Sequence, residues 1–144
     1  MTDEQIEVAK RHVEYHREAF GFEKANTEFK KGVIEDLKGS AGIDDETIDC
    51  VISNCVINLS DDKEKVFKEI WRVLKPGGEL YFSDVYSDRR IPEHLRQDKV
   101  LWGECLSGAL YIEDFRRMME RVGFKYYYTA KQSDITVDNP ALEA

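Results

Sequence analysis

Trp71-Arg72-Val73-Leu74-Lys75-Pro76-Gly77-Gly78-Glu79-Leu80-Tyr81-Phe82-Ser83 is the stretch whose reading decides the fold. It holds the end of a helix, a stop signal and the start of a strand. Upstream, Val66, Ile70, Trp71 and Leu74 recur at helical spacing and form one apolar stripe, and Ser60 or Asp61 can cap the helix that carries it. Proline cannot continue a helix and disfavours helical backbone just before it, while the glycines permit positive φ in a tight turn. Residues 80–83 then read as a strand. Further upstream, residues 48–53 include Ile48, Cys50, Val51 and Ile52 with little charge. That pattern predicts a strand buried on both faces of a parallel sheet. Strands alternating with helices predict an α/β domain with a largely parallel sheet, whose ligands bind beyond the carboxyl ends of the strands. The positions to watch are therefore residues 32–35, 54–58 and those from Asp84 onward.

Working outward, Thr2 and Gln5 have the form of a capping box, and Ile6, Val8, Ala9, Val13 and Phe20 predict a helix over residues 3–19. Residues 26–29 read as a short strand, and residues 32–37 lead into a polar loop with Gly39 and Gly42. Phe115, Met118, Met119 and Val122 share one face of a helix predicted over residues 111–122. Residues 125–130 and 134–137 resemble closing strands, an antiparallel pair. No internal repeat or flexible linker divides the chain, so residues 1–144 are expected to form a single domain.

Composition narrows the classes of function. The 144 residues carry a formal net charge of -8 with dispersed basic residues, which argues against the phosphate-neutralising surface of a nucleic-acid binder. No stretch has the apolar length needed to span a bilayer, and the first residues are polar, so a cytoplasmic protein is expected. Cys50, Cys55 and Cys105 are too few and too irregularly spaced for a disulfide framework or a zinc ribbon. Cys50, mid-strand among apolar neighbours, reads as a core residue. His12 and His16 stand four apart, but with no third ligand at motif spacing they read as a solvated helix face. Arg89, Arg90 and Arg96 read as surface.

The run 71–80 looks like the approach to the fifth strand of class I methyltransferases. Three further blocks resemble arsenite methyltransferases: Ser53-Asn54-Cys55-Val56-Ile57-Asn58-Leu59, Tyr81-Phe82-Ser83-Asp84-Val85-Tyr86, and Lys99-Val100-Leu101-Trp102-Gly103-Glu104-Cys105-Leu106-Ser107-Gly108-Ala109-Leu110-Tyr111. The resemblance extends from Met1 to about Phe124. It implies methyl transfer from S-adenosylmethionine to trivalent arsenic held by cysteine thiolates, with arsenite or methylarsenite as substrate. Arsenic(III) is soft, and thiolate is the soft ligand that proteins possess. By resemblance Cys55 and Cys105 are arsenic ligands. Ile34 and Glu35 fall where the family contacts adenine, and Ser53, Asn54 and Val56 where it passes the methionyl end. Trp102 either walls the arsenic pocket or merely packs.

The resemblance also implies a partial Rossmann-like methyltransferase domain. A full domain begins with a strand, a glycine-rich turn and a second strand ending in an acidic residue; these are missing from the 144 residues, and Met1-Thr2-Asp3 resembles the point just after the second strand. The family's amino-terminal cysteines are absent as well. In the family sheet the first two strands lie between residues 26–29 and 48–53. Their loss leaves either a direct pairing of those two strands or an open edge able to recruit a second chain. The expectation is self-association and weak or no cofactor binding. Two other readings stay open: a methyltransferase for a quinone or other small molecule, and a non-catalytic metalloid-binding module.

Overall fold

The computed structural model describes residues 2–103 and 105–135. Helix α1, Asp3–Arg11, begins at a capping box in which Thr2 and Gln5 satisfy each other's backbone N–H. The single helix expected over residues 3–19 is instead two, α1 and α2 (Val13–Ala19). The cause is His12, whose ring Nδ1 lies 2.8 Å from the carbonyl of Val8 while its backbone N–H turns to Ala9 at 3.2 Å. A side chain has taken the contact the helix ladder would use.

Residues 26–29 form no strand. A strand exists only through a ladder, and among the described residues this segment finds no partner. Helix α3, Leu37–Ala41, is capped by Asp36 and ends at Gly42, whose φ of 65° is the left-handed stop.

The central unit is strand β1 (Ile48–Asn54), a 3₁₀ turn (Ile57–Leu59), helix α4 (Lys63–Val73) and strand β2 (Leu74–Ser83). The cap of α4 is Asp62, accepting from the Lys65 N–H at 3.0 Å, rather than Ser60 or Asp61. The Ser60 hydroxyl donates to Glu35 and accepts from the Asp62 N–H at 3.2 Å, just ahead of the helix. β1 and β2 pair in parallel, with Val51 opposite Leu80 and Ser53 opposite Phe82. The Lys75-Pro76-Gly77-Gly78 run does end α4, but it lies within β2 as an irregularity: Ile48 faces Leu74, and Cys50 already faces Glu79.

After β2 come strand β3 (Tyr86–Ser87), helices α5 (Glu93–Arg96) and α6 (Lys99–Gly103), strand β4 (Leu110–Tyr111) and helix α7 (Ile112–Val122). β3 and β4 pair in parallel. The closing strand expected over residues 125–130 is not formed; of the one expected over 134–137, residues 134–135 are not in a strand and 136–137 lie outside the described residues.

The core lies where α4, α7 and one face of the β1–β2 ribbon meet. Phe67 is its centre, fully buried, with ring centroids 5.6 Å from Phe82 and 5.8 Å from Phe115. Met118 and Met119 join it, as their spacing predicts. Trp71, read as part of the stripe, instead sits at the margin, edge-on to Phe124 at 4.9 Å.

The expectation that β1 is buried on both faces is not met. Ile52 is 80% exposed and Cys50 is exposed too, so Cys50 is not a core residue. Both project from the face opposite α4 and α7, and no described element covers it. No described helix is long and apolar enough to cross a membrane.

Candidate functional site

The site stands at the carboxyl ends of β1 and β2, where a parallel sheet offers its backbone to ligands. Cys55 N–H donates to the Ser83 carbonyl at 2.9 Å, carrying the ladder one step past β1. The chain then turns at Cys55 itself, whose φ is 52°. A non-glycine residue in that region is uncommon and is held there by its surroundings.

Those surroundings are a brace between the two strand ends. The Asp84 carboxylate accepts from the N–H of Asn58 at 3.1 Å and of Val85 at 3.0 Å. The Asn58 side-chain amide donates to the Val85 carbonyl at 2.7 Å and is 2% exposed. Buried polar groups satisfied in this reciprocal way fix a loop firmly.

The loop after α6 lies on this brace. Gly108 makes the approach possible, since a Cβ there would stand 2.2 Å from the Asn58 carbonyl oxygen. Cys105, with φ 62°, is buried, and its thiol donates to the Cys55 carbonyl at 3.7 Å. The two cysteines lie 50 positions apart in sequence and are brought together here. Burial pushes the Cys105 thiol above its ordinary range, with the negative charge of Asp84 and the nearby Cys55 adding to the effect and the Lys63 ammonium opposing it. Cys55 is open to solvent.

Lys63, half-buried in the first turn of α4, donates to the Ser60 carbonyl at 2.8 Å and lies 5.4 Å from the centroid of the Trp102 ring. Trp102 therefore packs under a cation beside the cysteine loop.

Of the residues expected at the cofactor, Ser53, Asn54 and Val56 flank Cys55, with Ser53 half-buried and the other two exposed. Ile34 packs at the edge of the core, and Glu35 accepts the Ser60 hydroxyl. That bond ties the loop of residues 32–35 to the segment following β1, so the two groups share one side of the molecule. Cys50 stands apart on the open face of the ribbon. His12 and His16 are neighbours, 6.4 Å between ring centroids, but no group of three metal-ligating side chains occurs among the described residues. Asn58 and Asp84 fall among the positions past the strand ends that the sequence marked, though with no role assigned; Lys63 and Ser107 were not singled out.

A family model described as a methyltransferase domain matches residues 1–123. The chain belongs to that family. It is 53% identical over 142 residues to the arsenite methyltransferase of Aquipseudomonas alcaligenes, covering 99% of this chain and 40% of that protein. Against the human arsenite methyltransferase it is 50% identical, covering 38% of the relative. The chain thus spans about two fifths of the length of these curated relatives. Its fold superposes with a TM-score of 0.91 and 48% identity on the crystal structure of an arsenic(III) S-adenosylmethionine methyltransferase from Chlamydomonas reinhardtii, covering 99% of this chain and 48% of that one. The partial Rossmann-like architecture expected from the methyltransferase resemblance is the one observed.

Proposed function

We propose that this methyltransferase chain supplies the thiolate side of a site that methylates trivalent arsenic, with Cys55 and Cys105 as arsenic ligands and arsenite or methylarsenite as substrate. The observation that carries the reading is the contact of the Cys105 thiol with the Cys55 carbonyl at 3.7 Å, at the carboxyl edge of the sheet, with both residues in left-handed backbone. Arsenous acid carries As–OH groups. Each thiol exchanges for one of them, forming an As–S bond, and its proton leaves with the hydroxide as water. The raised Cys105 thiol therefore needs no prior ionisation by a base. Two sulfurs fix the direction of the arsenic lone pair, and orientation of that kind supplies much of the acceleration of a displacement. The nucleophile bears no proton, so the attack itself calls for no general base.

Ile34 and Glu35 on the adenine side, and Ser53, Asn54 and Val56 on the methionyl side, fit one flank of S-adenosylmethionine, as the Glu35–Ser60 tie between their loops supports. Bound there, the cofactor would supply an electrophilic methyl group. The 144 residues contain no glycine-rich turn between a first strand and helix, and we infer that by themselves they bind the cofactor weakly. Calorimetric titration of the chain checks this, and tight stoichiometric binding refutes it. The open edge of β1, beside the exposed Ile52 and Tyr81, supports self-association of the chain, which sedimentation across a concentration series reads. Three free thiols suit a reducing, cytoplasmic setting.

The deciding experiment replaces Cys55 and Cys105 by Ser singly and measures arsenite binding by the chain. Loss of at least about tenfold in affinity for each is expected, since a hydroxyl is a hard ligand. Unchanged affinity would leave both motif cysteines idle, as in a methyltransferase for a quinone or another small molecule. Arsenite binding without any methyl transfer, even when the cofactor is bound, would leave a non-catalytic metalloid-binding module.

A further inference from the structure

A cavity of about 370 Å³ opens beside the cysteine loop, between the start of α4 and the segment running from Arg90 to Tyr111. Its lining includes Lys63, Arg96, Trp102 and Ser107. Ser107 is 3% exposed, and its hydroxyl has no hydrogen-bond partner among the described residues. Leaving a buried hydroxyl unpaired is costly, so such a group calls for a ligand.

The charges around the cavity divide by depth. At the rim, Arg90 is held by both oxygens of Asp114, at 2.6 and 2.8 Å, and Arg96 is 3.8 Å from Glu93. Asp61 also lines it and is exposed. Deeper in, Lys63 has no carboxylate within ion-pair distance among the described residues; its ammonium is met only by the Ser60 carbonyl and the face of Trp102. Burial, and then repulsion from Arg96, press the Lys63 ammonium below its ordinary range, while Asp84, Asp61 and Cys105 oppose them. A half-buried cation short of counter-charge and a buried hydroxyl short of a partner thus line one cavity.

We propose that this cavity is an oxyanion subsite, taking a carboxylate or phosphate group between the Lys63 ammonium and the Ser107 hydroxyl, with Arg96 at its mouth. An oxyanion answers both deficits at once, because it accepts from hydroxyl and ammonium and neutralises the latter. The proposal does not rest on the methyl-transfer reading.

The test titrates the chain with inorganic phosphate and, separately, with acetate, in the absence of arsenic and cofactor. Trp71→Phe leaves Trp102 as the only indole, and Trp102 emission should change saturably as the ammonium shifts from its ring toward the anion. Calorimetry on the unsubstituted chain gives a second readout that does not depend on that substitution. Lys63→Met should weaken binding by at least about tenfold and Ser107→Ala by a smaller factor, with circular dichroism checking that each variant is folded. Tighter phosphate than acetate binding assigns the subsite to a phosphate-bearing ligand, and the reverse to a carboxylate; either outcome supports it. Absence of saturable binding of both anions, or affinities indifferent to Lys63→Met and Ser107→Ala, overturns it.

Discussion

The two faces of the β1–β2 ribbon have similar side chains and opposite fates. On one, Val51, Leu80 and Phe82 pack against the core built by Phe67 and Phe115. On the other, Cys50, Ile52 and Tyr81 face solvent, although by hydropathy Ile52 belongs inside as much as Val51 does. The difference is one of cover, not of chemistry: α4 and α7 cover one face, and among the described residues nothing equivalent reaches the second. An apolar strand residue reports a tendency to be buried, while a neighbouring element decides whether it is.

The largest effect should follow from attacking the packed face. Phe67→Ala removes a fully buried ring between α4, β2 and α7, and should lower unfolding free energy by about 3–5 kcal/mol in urea denaturation. A loss under about 1 kcal/mol would mean that this face is not the core.

Next is Gly108→Ala, which forces a methyl group against the Asn58 carbonyl. It should cost about 1–3 kcal/mol and lift the cysteine loop off the brace, so that arsenite affinity falls along with stability. Full stability with intact arsenite affinity would show that the loop rests elsewhere.

The cysteines sample both environments and the site between them. Alkylation followed by mass spectrometry should modify the exposed Cys50 and Cys55 first and the buried Cys105 more slowly, by about tenfold or more at neutral pH. Because burial raises the Cys105 thiol, its labelling should rise with pH only beyond the usual thiol range. The same shift gives a sign for stability. The folded state holds that proton more tightly than the unfolded state, so the contribution of Cys105 is intact below the unfolded thiol pKa and is lost as pH rises through the folded one.

The smallest effect belongs to the open face. Ile52→Thr should change the stability of the chain by no more than about 0.5 kcal/mol, since Ile52 is already 80% exposed. A loss comparable with that of Phe67→Ala would reveal that the face is covered in solution.

Helix positions were legible where the pattern was strong and local. The faces of α4 and α7 follow from spacing, although the stripe through Trp71 missed Phe67, one position away from Val66 and the true centre of the core. Helix ends were less legible: His12 splits the first helix through a contact with Val8, and Asp62 rather than Ser60 or Asp61 caps α4 by accepting from the Lys65 N–H. Strands at residues 26–29 and 125–130 were misread because strand propensity has no meaning without a partner. Cys55 and Cys105 could be given roles from the motifs around them, whereas Asn58, Lys63 and Ser107 could not. Their roles come from groups met across the fold, Asp84, Trp102 and a cavity beside the cysteine loop.

The sequence by itself determined the strand–helix–strand unit, the family resemblance and the two cysteines, because periodicity, a proline–glycine stop and motif residues are all local properties. Tertiary structure alone decided that Cys50 faces solvent while Cys105 is buried against Cys55, and that an unpartnered serine shares a cavity with an underneutralised lysine. Burial and electrostatic environment are properties of what lies nearby in space, and the chain brings those neighbours from tens of residues away.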